Sequence, residues 1–232
     1  MTFRTGLENI NRMIDISAVR TNVTLDELDM VINTAIENNL ICAFAMPCFT
    51  PVLVDRLSEY KDILVGGVVG FPSGSDTTDM KVKQAKEMLS FGVDELDMVM
   101  NVGAMKSGMF QLVHDDIKAV VEACDGKPVK SILEICYLTD DEIAKASEIA
   151  VKAGVTFVKT GTGWGNKPTT VETIKIIKKA IGDSAQIKAA GGVRDLETIQ
   201  AMLDEGCTRF GIGMNTVKNI LKELEALKKV AS

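Results

Sequence analysis

Eight short apolar runs, separated by amphipathic segments, constrain the fold of this chain more than any other feature. The apolar runs are rich in β-branched residues and have the length of buried strands. They cover residues 12–17, 40–46, 62–71, 93–100, 129–135, 155–160, 185–190 and 208–213. The intervening segments carry apolar residues at three- and four-residue spacing, which is typical of amphipathic helices. Strands that alternate with helices predict parallel strands joined by crossover connections.

Two architectures are built from such units. A closed (β/α)8 barrel, the TIM barrel, needs eight of them, and 232 residues is close to its usual size. The alternative, an open doubly wound sheet, normally has a glycine-rich dinucleotide-binding turn after its first strand. The turn after residues 12–17 has no such glycines. No linker or low-complexity segment interrupts the chain, so the sequence predicts a single TIM-barrel domain over residues 1–232.

Two of the predicted helices begin with capping-box spacing. Thr24 is followed by Glu27, and Thr139 is followed by Glu142. In a capping box the threonine hydroxyl and the glutamate carboxylate each accept a backbone N–H that the helix start leaves unpaired. We therefore expect helices to begin directly after both threonines.

Composition excludes several functional classes. The net charge is −6, whereas nucleic acid and acidic membrane surfaces require a basic face. The first residues contain no apolar run long enough for a signal peptide or a membrane span. The five cysteines form no CxxC pair, which indicates neither a disulfide framework nor a zinc site. The only histidine, His114, lies in a helical run and is interpreted as a surface residue. We expect a cytoplasmic protein without a metal, another cofactor, or a nucleic-acid or membrane partner.

Charged residues inside the apolar runs are the first indication of a functional site. Asp97, Lys159 and Lys188 each interrupt a predicted strand, and Asp15 and Glu134 have a similar placement. Active-site residues of a TIM barrel lie at the carboxyl ends of its strands. Each charge taken alone is also compatible with a strand-end residue that reaches solvent. Two lysines on successive strands, with carboxylates nearby, indicate a site in the barrel mouth.

Two neighbouring amines suggest nucleophilic catalysis by a lysine. A lysine with an ordinary pKa of about 10.4 is almost entirely protonated at neutral pH and cannot attack a carbonyl group. Burial or a neighbouring cation lowers that pKa and frees the amine. The protonated imine that then forms withdraws electrons, so a nearby C–C bond can break or form. A carboxylate can move the proton, directly or through a water molecule.

Glycine pairs follow the last three predicted strands, in TGTGWG (160–165), AAGGVRD (189–195) and GIGMN (211–215). The loops after strands seven and eight are the usual phosphate site of a TIM barrel, where backbone N–H groups meet the anion. A single glycine pair is also found in ordinary tight turns. The segment GFPSGSDTTDMK after the third strand is likewise compatible with a turn and a helix cap.

The chain resembles the deoxyribose-phosphate aldolase family, whose members are class I aldolases. The resemblance extends in order along nearly the whole chain. It is carried by MIDIS, GFPSGSDTTDMKVKQAKE, GVDELDMVMNVG, KSILEICYLTDDEI, FVKTGTG, IKAAGGVRD and RFGIG. The family cleaves 2-deoxyribose 5-phosphate to acetaldehyde and glyceraldehyde 3-phosphate without a metal. The resemblance therefore implies a small aldehyde or sugar phosphate as substrate, and leaves a homodimer or a higher homo-oligomer open.

By this resemblance, Lys159 is the Schiff-base lysine and Lys188 is the cation that lowers its pKa. Asp97 is the proton-relay carboxylate, and Asp15 helps to hold the lysines. Ser17 stands where the family usually has a threonine that touches the substrate. The remaining substrate-binding residues implied by the matching motifs are Thr160, Thr162, Gly163, Gly191, Gly192, Gly211 and Gly213.

The sequence departs from the family pattern at the expected phosphate end. The loop after the lysine usually reads TSTG, but here Gly161 replaces the serine. A serine pair that binds phosphate after the eighth strand is replaced by Gly213 and Met214. Each missing hydrogen bond to a charged group is worth roughly 1.5–3 kcal/mol. The bulky Trp164 either shapes the acceptor end or only covers the rim.

Three alternatives remain open at this level. The first is the same imine chemistry on another acceptor, with or without a phosphate group. The second is a sugar-phosphate isomerase, which would use a glutamate or histidine base and no essential lysine pair. The third is a non-catalytic barrel that binds a metabolite, although an unused charge-filled mouth would cost stability.

Overall fold

The structure, a computed structural model, describes residues 6–231, with side chains up to residue 226. Eight parallel strands form a closed barrel in sequential order, and the last strand pairs with the first. The strands are β1 (Ile14–Ala18), β2 (Cys42–Ala45), β3 (Leu64–Val69), β4 (Glu95–Val99), β5 (Val129–Ile132), β6 (Phe157–Lys159), β7 (Gln186–Ala190) and β8 (Cys207–Gly213). Each predicted run overlaps one of them, so the TIM-barrel prediction is confirmed. The predicted domain range, 1–232, extends beyond the described residues.

Helices connect the strands around the outside of the barrel. They are α1 (Leu25–Glu37), α2 (Thr50–Leu57), α3 (Thr78–Phe91), α4 (Val102–Lys106), α5 (Phe110–Ala123), α6 (Asp140–Lys152), α7 (Val171–Ile181), α8 (Leu196–Asp204) and α9 (Met214–Ala231). Short 3₁₀ helices cover Leu7–Met13, Pro47–Phe49 and Ile135–Tyr137. Between residues 6 and 231, no helix is both long and apolar enough to cross a membrane.

Both predicted capping boxes are present. The Thr24 hydroxyl accepts the backbone N–H of Glu27, and the Glu27 carboxylate accepts the backbone N–H of Thr24. Thr139 and Glu142 make the same reciprocal pair. Helices α1 and α6 consequently begin one residue after each threonine, as expected.

The predicted strand at 129–135 ends earlier in the structure, and the glycine segment predicted to follow the eighth strand is part of that strand. Strand β5 ends at Ile132, because Glu134 adopts a left-handed conformation with φ 55° and a 3₁₀ turn follows. Gly211 and Gly213 lie within β8 instead of forming a loop after it. The conformation of Glu134 brings its side chain to the loop after β6.

The two faces of the strands have different environments. Outward-facing residues of the strands pack against the helices in one large apolar core. A separate small apolar cluster inside the barrel contains Cys42, Phe44 and Val68. Other inward-facing positions are occupied by charged side chains, by Ser17 and Phe157, and by glycine. The apolar core thus stabilises the outside of the barrel, whereas its interior holds the polar residues.

Candidate active site

Inward-facing positions of four strands bring the predicted catalytic residues together. These residues are Asp15 on β1, Asp97 on β4, Lys159 at the end of β6, and Lys188 on β7. Lys159 and Lys188 are partners in the register of β6 with β7. Nζ of each lysine lies 2.7 Å from Oδ2 of Asp97. Nζ of Lys188 also lies 2.6 Å from Oδ2 of Asp15. The two lysines therefore share one carboxylate, and Lys188 has a second.

Three further charged side chains, which the sequence patterns did not reveal, extend this group into the barrel. Nζ of Lys130 contacts Glu95 and lies 3.2 Å from Oδ1 of Asp97. The Arg209 guanidinium donates to Oδ1 of Asp15 at 2.6 and 2.9 Å. It also donates to Oε1 of Glu95 at 2.9 Å. Strand alternation alone could have identified Glu95, since it precedes Asp97 by two residues.

These seven residues, named here the barrel cluster, contain three carboxylates and four cationic groups. They are Asp15, Glu95, Asp97, Lys130, Lys159, Lys188 and Arg209, and all are buried. With Lys159 neutral, the remaining cations and carboxylates are equal in number. An uncompensated charge is costly inside a protein. The composition of the cluster therefore favours the neutral form of one lysine.

The two lysines differ in protonation. Burial lowers the pKa of Lys159 from its ordinary 10.5 to about 8, and the Lys188 ammonium adds to this effect although Asp97 opposes it. Burial acts on Lys188 in the same direction, but the carboxylates of Asp15 and Asp97 outweigh it and raise its pKa above the ordinary value. Lys159 can therefore supply a neutral amine near neutral pH, while Lys188 stays charged.

The two aspartates remain ionised. Burial alone would raise the pKa of Asp97, but Lys130, Lys159 and Lys188 outweigh it and hold the pKa well below its usual range. The pKa of Asp15 is lowered in spite of burial, chiefly by Lys188. Both side chains therefore act as hydrogen-bond acceptors at neutral pH.

Phe44 lies against the cationic groups of the barrel cluster. Its ring centroid is 4.4 Å from Nζ of Lys188, 5.3 Å from that of Lys130 and 6.0 Å from that of Lys159. An aromatic face attracts a cation at such distances. Gly66 leaves room for the ring, since a Cβ there would lie 2.1 Å from a Phe44 ring carbon.

A cavity of about 540 Å³ opens over the barrel cluster, a volume typical of small-molecule sites. All predicted site residues except Thr160 line it: Asp15, Ser17, Asp97, Lys159, Thr162, Gly163, Lys188, Gly191, Gly192, Gly211 and Gly213. The structure thus places the two lysines and the glycine-rich loops around one space.

The glycine-rich end of the cavity is formed by the loops after β6 and β7 and by the start of α9. Gly191 and Gly192 both have φ +86°, a conformation that favours glycine. A Cβ on Gly192 would also lie 2.3 Å from Cβ of Pro168. Arg194 and the first residues of α9 line this end as well. Backbone N–H groups at a helix start and one arginine are suitable for an anion.

Thr160 has a structural role and does not line the cavity. Its hydroxyl donates to the carbonyl of Ala190 at 3.0 Å and accepts the backbone N–H of Ala190 at 2.9 Å. Thr169 donates to the same hydroxyl at 2.8 Å. The Thr160 hydroxyl is therefore already bonded to Ala190, the last residue of β7, and to Thr169 in the loop after β6, and its predicted substrate contact stays a prediction.

Glu134 does not join the barrel cluster, although its position resembled that of the other carboxylates. It accepts hydrogen bonds from the backbone N–H of Thr162 at 3.3 Å and from the Thr162 hydroxyl. The Thr162 hydroxyl in turn accepts the backbone N–H of Trp164 at 3.0 Å. Glu134 therefore fixes the loop that follows Lys159.

Two other potentially functional groups lie in unfavourable surroundings. Asp15, Cys42 and Glu95 place possible metal-ligating atoms close together, but both carboxylates already pair with cations. Burial raises the pKa of Cys42 well above its ordinary value, so its thiol stays protonated.

His114 lies on α5 with a partly exposed side chain, as predicted, and pairs with Asp115.

The family model, the relatives in sequence and a solved structure that match this chain are all aldolases. The model of the DeoC/LacD family of aldolases matches residues 12–223. The deoxyribose-phosphate aldolase of Sinorhizobium medicae is 44% identical over 215 residues, which cover 93% of this chain and 87% of the relative. That of Coprothermobacter proteolyticus is 40% identical over 214 residues, covering 92% and 96%. The solved structure "QR15, an Aldolase" has a TM-score of 0.88 at 31% identity, covering 97% of this chain and 99% of its own. This chain belongs to the DeoC/LacD family of aldolases.

Proposed function

We propose that this chain cleaves 2-deoxy-D-ribose 5-phosphate reversibly to acetaldehyde and D-glyceraldehyde 3-phosphate, through an imine at Lys159. One observation carries the proposal. A buried lysine whose pKa is lowered to about 8 lies beside a lysine that stays charged, in a cavity large enough for a sugar phosphate. The names of the curated relatives support the choice of substrate.

In this proposal the neutral Lys159 amine attacks the aldehyde carbon of the open-chain sugar. Uptake of a proton and loss of water give a protonated imine, which withdraws electrons from the bond between the second and third sugar carbons. Removal of the proton from the substrate hydroxyl breaks that bond, and the electron pair passes into the imine to form an enamine. Glyceraldehyde 3-phosphate leaves, the enamine carbon is protonated, and water releases acetaldehyde.

Asp97 is the proposed proton relay. Its Oδ2 accepts hydrogen bonds from both Lys159 and Lys188 at 2.7 Å, so it connects the reacting amine with a permanent cation. Because its pKa is well below the usual range, it passes a proton on and does not retain it. Asp15 is a positioning residue, since it pairs with Lys188 and not with Lys159, and Arg209 in turn pairs with Asp15.

The glycine-rich end of the cavity is the proposed phosphate end. Backbone N–H groups of Gly163, Gly191 and Gly192 and the start of α9 would contact the anion, together with Arg194. Ser17, which is the partner of Gly213 in the register of β1 with β8, would contact a substrate hydroxyl. Because Gly213 and Met214 supply no hydroxyl, we expect weaker phosphate affinity than a serine pair would give.

The test is turnover of 2-deoxyribose 5-phosphate after treatment with a chelator. We expect release of glyceraldehyde 3-phosphate from the wild type and none from Lys159→Met. Lys145→Met, which removes an exposed lysine outside the cavity, should keep full activity. Turnover that survives in Lys159→Met, or that requires added divalent metal, would overturn the proposal.

The cellular setting is also a proposal. The five cysteines are free, which is compatible with the cytoplasmic location expected from the sequence. A homodimer or higher homo-oligomer stays a prediction, to be measured by light scattering.

A further inference from the structure

The side chain of Trp164 crosses the mouth of the barrel. It follows β6, and its indole N–H donates to the carbonyl of Val19, after β1, at 3.0 Å. Its ring meets Phe71, after β3, edge to face, with centroids 6.0 Å apart and planes at 88°. None of these three strands is a neighbour of another in the barrel. One side chain therefore connects three separate sides of the mouth.

Trp164 belongs to an apolar side of the cavity. We name this side the apolar wall; it consists of Phe44, Val68, Phe71, Val19 and Trp164, all of which line the cavity. Val19 and Phe71 pack against the interior cluster that contains Phe44 and Val68. The Phe44 ring centroid lies 6.0 Å from Nζ of Lys159. The apolar wall thus extends from the reactive amine to the rim.

The indole itself remains accessible. Trp164 is 46% exposed, although its N–H group and one ring edge are held in place by Val19 and Phe71. A fixed and accessible aromatic surface inside a cavity is typical of a ligand-binding surface. The glycine-rich end, with Arg194, offers polar contacts to the same cavity. A substrate carbon chain that extends from Lys159 can therefore contact either the apolar wall or the polar glycine-rich end.

We propose that Trp164 is a specificity-determining residue, which completes an acceptor subsite for aldehydes with an apolar chain. The inference rests on the proposed function, because it uses the enamine that acetaldehyde forms with Lys159. The enamine carbon bonds to the carbonyl carbon of an acceptor RCHO, and the carbonyl oxygen takes up a proton. Water then releases RCH(OH)CH2CHO and regenerates the amine. The group R packs along the apolar wall, and the reaction needs no oxidant or reductant.

The test compares acceptors with acetaldehyde as the common donor. We would measure kcat/KM for hexanal, propanal and D-glyceraldehyde 3-phosphate with the wild type, Trp164→Ala and Trp164→Phe. In Trp164→Ala we expect kcat/KM for hexanal to fall about tenfold, because the apolar chain loses its outer contact surface. The values for propanal and glyceraldehyde 3-phosphate should change by less than about threefold. Trp164→Phe keeps an aromatic ring but no N–H donor, and should be intermediate.

Tyr60→Ala is the matched control. Tyr60 is exposed to a similar extent, 43%, but lies before β3, at the opposite end of the barrel. Its removal should leave all three acceptors unchanged.

Three outcomes would overturn the inference: an unchanged value for hexanal in Trp164→Ala, an equal loss for all acceptors, or the same selective loss in Tyr60→Ala. Failure of the proposed function would give a different result from these three outcomes. In that case the wild type itself would form no borohydride-trapped adduct with acetaldehyde, whichever residue stands at 164.

Discussion

At the scale of single residues, Lys159 and Lys188 are identical side chains held in different charge states. Lys159 lies against one carboxylate, Asp97, whereas Lys188 lies against Asp97 and Asp15. Each neighbouring carboxylate favours the ammonium form. The second carboxylate therefore keeps Lys188 charged, and that charge in turn helps to free the amine of Lys159.

Replacing Lys188 by methionine should raise the pKa of Lys159. The ammonium that disfavours protonation of Lys159 is lost, while Asp97 continues to favour it. Only the neutral amine reacts, so the acid limb of the pH profile for imine formation should move above pH 8. Each unit by which the pKa of Lys159 rises should lower the rate of imine formation at pH 7 roughly tenfold. Lys188→Arg keeps the cation and should retain the position of the acid limb; an unmoved limb in Lys188→Met would contradict this role.

Serine at Gly213 should strengthen binding of a phosphorylated substrate. A Cβ at Gly213 would meet no atom within 4 Å, so the hydroxyl can enter the phosphate end without strain. We expect KM for 2-deoxyribose 5-phosphate to fall by about three- to tenfold, with no change for unphosphorylated deoxyribose. Measured KM values for both sugars check this.

Gly161→Ser is the contrasting variant. A Cβ at Gly161 would lie 3.0 Å from Oε1 of Glu134, which already accepts from Thr162. We expect this serine to lower activity on both sugars. Equal gains from the two serines would contradict the proposed difference between the sites.

At the scale of elements, local sequence signals predicted the strands and helices well but failed where a side chain reaches another loop. The capping boxes and the alternating runs depend on neighbouring residues only. The end of β5 depends on Glu134, whose left-handed conformation is stabilised by Thr162 in a loop 28 residues away. The hydrogen bonds of Thr160 could not be predicted for a similar reason, since its partner Ala190 lies on the following strand.

The capping box at α6 gives a prediction at this scale. Thr139→Ala removes the acceptor for the backbone N–H of Glu142 and should lower the free energy of unfolding by about 1 kcal/mol. Neither residue lines the cavity, so kcat should not change. Chemical denaturation checks the stability, and Thr139→Ser, which keeps the hydroxyl, should restore it. A loss of activity at unchanged stability would contradict a purely structural role.

At the scale of the whole molecule, the barrel encloses ionisable groups at a cost in stability. Burial lowers the pKa of Lys159 in the fold from 10.5 to about 8. Below pH 8 Lys159 is protonated in the folded protein, although burial disfavours its charged form. Between about pH 8 and 10.5 the unfolded chain binds more protons than the fold, so this contribution makes stability rise with pH.

Lys159→Met should therefore be more stable than the wild type at pH 7. The lowered pKa corresponds to about 3 kcal/mol, and Asp97 keeps Lys130 and Lys188 as partners. At pH 9.5 the difference should shrink to roughly 1 kcal/mol. Urea denaturation at both pH values measures it, with Lys145→Met as the control. A variant less stable than the wild type at pH 7 would contradict the free-energy cost assigned to the buried Lys159 ammonium.

The complete barrel cluster could not be predicted from the sequence, because its members meet only through the strand register. Lys130 is paired with Asp97 across β4 and β5, and Arg209 with Lys188 across β7 and β8. The second pairing follows a register shift at Ile187 and Lys188, which alternation along one strand does not reveal. Lys159 and Lys188 were identified because each interrupts an apolar strand run, and the matching motifs then implied their roles.

The central claim is that Lys159, and not Lys188, forms the imine. The most direct measurement is borohydride reduction in the presence of acetaldehyde, followed by mass spectrometry of the digested protein. We predict an N-ethyl group, a net gain of C2H4, on the peptide that contains Lys159, with Lys188 unmodified. Label on Lys188, or no label on either lysine, would contradict the account.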